Sequence, residues 1–329
     1  MTPEDWQAVQ WDSGCGEGLF LTVMYHGKRF HVSLLPPSSP DTIEGPLISK
    51  FDSMDDEDED ETLAIQEEIE TIVYEAGRSI WTQLAPPLPD GPELSDLHSL
   101  LYPETFSFRF ITNNGKAELV PQEIEEAHYH DRFGMKIVND MGIPQYSSKD
   151  VRVLETLVGQ GYIAQVLVEG KEVCCKSGDD AFWQGIEREF DCLCKVARSQ
   201  LANSIRVPRL LGLVTSAETG MIIGILEEYI PTGVLSDLRE LEDEDMEAST
   251  ERRKKWGAQV RETVDLLHKI GVIWGDGKPH NVLIHKETDD AWVIDFGGSY
   301  TEGWVDEELM ETLEGDEQAV GRILEFLDI

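Results

Sequence analysis

Residues 274–284 read WGDGKPHNVLI, and residues 291–298 read AWVIDFGG. Asp276, Lys278 and Asn281 stand in the spacing D-x-K-x-x-N, and Asp295-Phe296-Gly297 begins nineteen residues after Asp276. VIWGDGKPHNVLI (residues 272–284) and AWVIDFGGS (residues 291–299) read as short apolar strands, each closing on an Asp-containing loop. Phosphoryl transfer needs this set of groups. One carboxylate orients the attacking hydroxyl, a lysine neutralises charge on the moving phosphoryl, and a pair of oxygen ligands holds Mg²⁺.

The two loops resemble the catalytic and metal-binding loops of the protein kinase superfamily. The approach LLHKIGVIWGD (Leu266–Asp276) strengthens the likeness, since kinases carry a similar Leu-His-x-x-Gly lead-in. The resemblance implies catalytic roles for Asp276 and Lys278 and metal ligation by Asn281 and Asp295, with ATP and Mg²⁺ as cofactors. Upstream, GQGYIAQV (Gly159–Val166) resembles the glycine-rich loop over the phosphates, with Gly159, Gly161 and Val166 in place and Ala164 at the third glycine position. Glycines there let backbone amides approach the phosphates, and one methyl is a mild departure. Lys176, in VCCK, is similar to the family's strand lysine that meets the α and β phosphates. Its implied partner is Glu189 on the next helix, beside the apolar face of Cys192, Leu193 and Val196, with Glu187 as the alternative. LEEYI (Leu226–Ile230) resembles the hinge between lobes, where backbone groups near Glu228 and Ile230 would meet adenine.

Several features depart from the family pattern. Trp274-Gly275 stands where kinases have His-Arg, so the arginine that receives an activation-loop phosphate is absent. Only 32 residues follow Gly297, without an A-P-E sequence. Gly315-Asp316, with Ala319, Val320 and Gly321 behind it, is read as the start of the helix whose Asp braces the catalytic loop. Trp-Gly-Asp is also similar to the His-Gly-Asp of aminoglycoside- and choline-type phosphotransferases, whereas Lys278 and the full D-F-G favour the protein-kinase side. The whole resembles the compact atypical protein-kinase-like proteins common in filamentous fungi.

Charge sets outer bounds. The 329 residues hold 27 Lys+Arg against 65 Asp+Glu, a net charge of −38. Duplex nucleic acid and anionic membranes both require clustered basic residues, so neither is an expected partner. Arg252-Arg253-Lys254-Lys255 reads as the basic first turn of a helix rather than a nuclear signal. No run approaches 18 apolar residues, and MTPEDWQAVQWD lacks the pattern of a signal peptide. Five cysteines, Cys15, Cys174, Cys175, Cys192 and Cys194, are an odd number that includes a vicinal pair. They read as small buried hydrophobes in a reducing, intracellular home, cytoplasmic rather than nuclear; a CC…CxC zinc site lacks the usual ligand spacing.

The first 150 residues show no motif that carries chemistry. Residues 1–35 read as a small β element, in which LFLTVMY and RFHVSLL flank His26-Gly27-Lys28 as a hairpin. PPSSPDTIEGP (Pro36–Pro46) reads as loop, and residues 52–61 form an acidic loop with eight acidic residues in ten. TLAIQEEIETIVYEAGRSIWTQL spaces its apolar residues as a helix, and TFSFRFITNNGKAELV as a hairpin turning at Asn114-Gly115. His128-Tyr129-His130 reads as a packing or surface feature.

The expected architecture is α+β. A bilobed protein-kinase-like domain spans 151–329, with a small lobe at 151–226 and a reduced helical large lobe at 227–329, preceded by an N-terminal α+β extension at 1–150. The expected function is ATP- and Mg²⁺-dependent transfer of a phosphate to a hydroxyl of a protein or small molecule. The alternatives are a nucleotide-binding pseudokinase scaffold and an antibiotic- or choline-type phosphotransferase.

Overall fold

The computed structural model describes residues 2–3, 5–14, 18–39, 41–53, 59–87, 94–123, 134–159, 162–178, 180–242 and 247–329. The chain divides into two compact units, residues 1–93 with 99–129, and residues 94–98 with 130–329.

The first unit is a five-stranded sheet in the order β1-β2-β3-β4-β5, with β1 Trp6–Gly14, β2 Gly18–Tyr25, β3 Lys28–Leu34, β4 Thr105–Asn113 and β5 Lys116–Pro121. The β2–β3 pair turns at His26-Gly27, and β4–β5 turns at Asn114-Gly115. All four of these residues have positive φ, the geometry of a tight hairpin turn that follows strand twist. Strand β1 extends the β element expected over residues 1–35 by one edge strand, with polar alternation along it. Helices α1 (Glu44–Asp52) and α2 (Glu59–Leu84) supply the apolar cover. Their core gathers Trp81, Phe30, Phe108, Val73 and Ile69, with the Trp81 and Phe30 rings edge-on at 4.8 Å. The expected loop at Pro36–Pro46 ends earlier, because Glu44, Gly45 and Pro46 form the first turn of α1. A proline fits there, since first-turn N–H groups have no helical partner to lose. The acidic loop at 52–61 is also shorter than expected: Asp52 closes α1 and Glu59 opens α2, and residues 54–58 lie outside the described residues. His128-Tyr129-His130 and Cys15 lie outside them as well.

The second unit contains a six-stranded sheet ordered β6-β10-β11-β9-β8-β7, built from β6 Gln145–Ser147, β7 Arg152–Val158, β8 Ile163–Val168, β9 Lys171–Ser177, β10 Leu210–Thr215 and β11 Ile222–Glu228. Strand β8 buries alternate residues, the period of a half-covered strand. This unit begins upstream of the expected 151, because β6 pairs in parallel with β10 and Asp96 bridges Arg152. Helix α4 (Asp180–Arg198) follows the short α3 (Leu97–Leu101) in chain order. One face of α4 (Trp183, Ile186, Phe190, Cys194) joins Leu213 and Ile225 of the sheet in a core. Its Cys192, Leu193 and Val196 join a second core with Trp256, Val260, Trp274, Phe296 and Ile323. Glu189 lies on the same face as Cys192, Leu193 and Val196 and is itself 3% exposed.

The helical part contains α5 (Thr250–Lys269) and α6 (Leu313–Phe326), with a small sheet of β12 Thr232–Asp237, β13 Val282–His285 and β14 Ala291–Val293. Ser249 caps α5 by accepting from the Arg252 amide at 3.3 Å. The basic first turn has structural work: Arg252 forms a charge-assisted fork on Asp289, and Lys255 meets Asp290 at 3.1 Å. One strand expectation needs correction. Residues 272–276 are not a strand closing on Asp276; the loop comes first and β13 begins only at Val282. The helix buries this apolar run instead, since Val272 and Trp274 fill the core beside α5.

Candidate active site

Lys176, at the inner end of β9, is flanked in register by Ile163 of β8 and Ile225 of β11. Its ammonium donates to both carboxylate oxygens of Glu189, at 2.7 and 2.6 Å. Glu187 instead accepts from the backbone amide of Lys136. Glu189 Oε1 also accepts from the amide of Phe296 at 3.2 Å. Thus the sheet, α4 and the Asp295-Phe296-Gly297 turn meet at one carboxylate. Asp295 sits at φ +62, a left-handed conformation for a non-glycine residue, and Phe296 is fully buried behind it.

A second carboxylate shares this lysine. Glu227 of β11 is 2% exposed, its Oε2 lies 3.8 Å from Lys176 Nζ, and its Oε1 has no hydrogen-bond partner. Burial, reinforced by the Glu189 charge, pushes its pKa up to about 8. Burial alone would lower the Lys176 pKa, but the charges of Glu189, Glu227 and Asp295 outweigh it and hold the ammonium above its ordinary value. Glu227 was missed in sequence because nothing separates it from Glu228 beside it; strand register alone decides which of the two is buried.

The catalytic-loop candidates form a second cluster. Lys278 donates to Asp276 Oδ2 at 2.6 Å and to Thr301 Oγ1 at 2.9 Å, and Thr301 donates to Asp276 Oδ1 at 2.8 Å. Asn281 donates from Nδ2 to the Asp276 backbone carbonyl at 2.8 Å. That bond uses the amide nitrogen and leaves the Asn281 carbonyl oxygen as the atom available to a cation. Asp295 Oδ1 accepts from the Gly297 amide at 3.2 Å, which leaves Oδ2 for the same use. This oxygen pair suits Mg²⁺, a hard cation that is content with few protein ligands beside phosphate oxygens. Thr301 had no sequence signal, because it reaches Asp276 only through the fold of the segment after Gly298.

Asp316, near the start of α6, is 2% exposed and accepts from the amides of Trp274 at 2.8 Å and Gly275 at 2.9 Å, with His268 Nε2 2.7 Å from its Oδ2. The carboxylate therefore fixes the backbone just before Asp276, tying α5 and α6 to the loop.

The phosphate-loop candidates lie at the β7–β8 turn. Gly159 has φ +59, and a Cβ there would lie 2.5 Å from the Tyr162 ring, so glycine is required on both counts. Gly161 lies outside the described residues. Ala164 and Val166 are buried in β8, with Ala164 opposite Thr156 and Cys175. The Glu228 amide donates to the Arg209 carbonyl at 2.8 Å, so this amide is engaged within the fold. Ile230 is buried just beyond β11. Among the described cysteines, Cys174, Cys175, Cys192 and Cys194 are unbridged, and burial raises every thiol pKa, Cys174 to about 12 and Cys194 to about 11. No helix among the described residues is long and apolar enough to cross a membrane.

Comparison with known proteins points to the kinase family. The protein kinase domain family model matches residues 156–316. A putative mitogen-activated protein kinase kinase kinase 7-like protein of Drosophila melanogaster is 24% identical over 163 residues, 47% of this chain and 39% of that protein. The serine/threonine-protein kinase OXI1 of Arabidopsis thaliana is 30% identical over 139 residues, 41% of this chain and 29% of that protein. The match thus spans well under half the length of either relative. The α+β fold, the family model and the two kinase relatives make residues 156–316 of this chain similar to the protein kinase domain, a family that in general uses ATP and Mg²⁺.

Proposed function

We propose that the second unit is an ATP- and Mg²⁺-dependent phosphotransferase that moves the γ-phosphate onto a hydroxyl of a protein or small molecule. The observation that carries this reading is the link Lys176–Glu189–Phe296, which joins the sheet lysine to the metal-binding turn through one buried carboxylate. Backbone amides of the β7–β8 turn and the Lys176 ammonium hold the phosphates, and Asn281 and Asp295 hold Mg²⁺ against them. The Glu228 carbonyl and the Ile230 amide meet the adenine. Mg²⁺ held there would supply charge withdrawal from the phosphate oxygens, which eases transfer of the γ-phosphate. Asp276 orients the acceptor hydroxyl and takes its proton as the new bond forms, while Lys278 offsets charge on the transferring group.

A second reading, a nucleotide-binding scaffold, is supported by the fact that both Asp276 oxygens already have partners, Thr301 and Lys278. In the enzyme reading an acceptor hydroxyl displaces the Thr301 hydroxyl. The deciding experiment offers [γ-³²P]ATP with Mg²⁺ to wild type and Asp276→Asn in a cell extract, scoring protein and metabolite fractions separately. Label transferred by wild type and not by the variant supports the enzyme. Tight Mg²⁺–ATP binding with no transfer to any acceptor, or to the protein itself, overturns it in favour of the scaffold.

A further inference from the structure

Next to Glu189 on α4 stands Arg188, and its guanidinium has an unusual set of partners. Nη2 donates to the Ile273 carbonyl at 3.2 Å, and Nη1 donates to the Trp274 carbonyl at 3.2 Å and to the Phe296 carbonyl. Two of these carbonyls lie just before Asp276, and the third follows Asp295 directly. The Phe296 residue is therefore gripped at both ends by consecutive α4 residues, its amide by Glu189 and its carbonyl by Arg188. Buried carbonyls need donors, and a planar fork with five N–H groups can serve three of them at once.

The neighbouring sequence makes room for this fork. Gly275 has φ +94, and a Cβ there would lie 2.6 Å from Arg188 Nη2. On the outer side Glu311 faces the guanidinium, with its Oε2 3.9 Å from Nε. Glu311 Oε1 accepts from the Ser299 amide at 3.3 Å. Gly298, at φ +86, approaches that same Oε1 so closely that a Cβ would collide with it. Two glycines thus admit an arginine from α4 and a glutamate from the segment before α6 into one junction.

We propose that Arg188 is a positioning residue, braced by Glu311, that sets the Asp276 loop and the Asp295 turn in register with each other. The proposal rests on the enzyme reading only for its kinetic consequence. Its structural consequence holds for any nucleotide-binding role.

The test compares full-length wild type, Arg188→Ala, Arg188→Lys and Glu311→Gln by amide hydrogen exchange and by steady-state kinetics. Arg188→Ala should speed exchange at Trp274, Gly275 and Phe296 by about tenfold or more, with β10 and α5 unchanged. Its kcat should fall by roughly 10–100-fold while KM for ATP stays within about threefold, the split expected when orientation rather than binding is lost. Arg188→Lys should lie between, and Glu311→Gln should speed exchange mainly at Ser299. Unchanged exchange in the two loops, a uniform rise that includes β10 and α5, or local loosening with kcat intact each overturns the proposal. If Arg188→Ala does not fold, Arg188→Lys and Glu311→Gln decide by the same readings. A wild type that transfers no phosphate sinks the enzyme reading alone, and the exchange data still decide this one.

Discussion

The two units bury very different chemistry. Among the described residues, the first unit buries only Thr22, Ser33 and Glu44 beside its aromatic core. The second buries Lys176, Glu189, Glu227, Asp237, Asp276, Asn281 and Asp316, most of them joined by hydrogen bonds or ion pairs. Removing a charge from water costs several kcal/mol unless partners replace the lost solvation, so a fold that needed only stability would fill those places with apolar side chains. The first unit follows that rule with one exception among the described residues, the Glu44 carboxylate: Trp81, Phe30 and Phe108 do its packing, and its turns are set by short polar or glycine residues. The second unit accepts that cost at its candidate site. Clustered buried charge thus distinguishes the unit that matches the kinase family model.

The largest expected effect lies at the centre of the polar cluster. Asp276→Asn keeps the size of the side chain and removes the base, so turnover should fall by about 10²–10⁴ with Mg²⁺–ATP affinity retained. Asp295→Ala should lose both, because the metal then has one protein ligand fewer. Parallel transfer assays and nucleotide titrations separate the two. Wild-type turnover in Asp276→Asn would show that this cluster is buried charge without catalytic purpose.

The apolar unit supplies the opposite case. Trp81→Ala removes a fully buried indole that packs on Phe30 and Phe108, and should cost about 3–5 kcal/mol in denaturant unfolding. Affinity for Mg²⁺–ATP should not change, since every candidate site residue lies in the other unit. A variant that unfolds like wild type would contradict the packing account of the first unit.

A smaller effect tests Glu227. Its carboxyl holds a proton up to about pH 8 in the folded protein, whereas an unfolded glutamate releases it near its ordinary value. The folded state therefore binds more protons between those limits, and stability contributed there is lost as pH rises through about 8. Glu227→Gln removes this contribution. Thermal unfolding of wild type should weaken from pH 5 to 9 more steeply than that of the variant. Parallel curves would mean that Glu227 is ionised throughout.

The smallest expected effect is none. Glu311 already places a fixed negative charge beside Arg188, so phosphatase treatment should leave transfer activity unchanged. A marked loss would show that an added phosphate, rather than Glu311, completes this junction.

Local pattern made much of this legible. The D-x-K-x-x-N and D-F-G spacings marked their loops because residues a few positions apart must share a turn. The hairpins at His26-Gly27 and Asn114-Gly115 were visible because positive φ restricts which residues can stand there. Helix α4 was readable from its period, and the apolar residues around Glu189 indicated which glutamate would turn inward. Where the local signal was weak, as in the proline-bearing start of α1, sequence placed loop.

The sequence by itself determined the likeness to protein kinases, the loops that hold Asp276 and Asp295, and the absence of an arginine before Asp276. Each is a matter of identity at short range. The tertiary structure decided what takes that arginine's space, because Arg188 and Gly275 are 87 positions apart and meet only when α4 packs against the loop. It also decided that Thr301 holds Asp276, that Glu311 faces Arg188 and that Glu227 rather than Glu228 shares Lys176. Those pairings depend on strand register and on chain entering from distant elements, and hydrophobic periodicity fixes which face is buried without saying which polar group it will meet there.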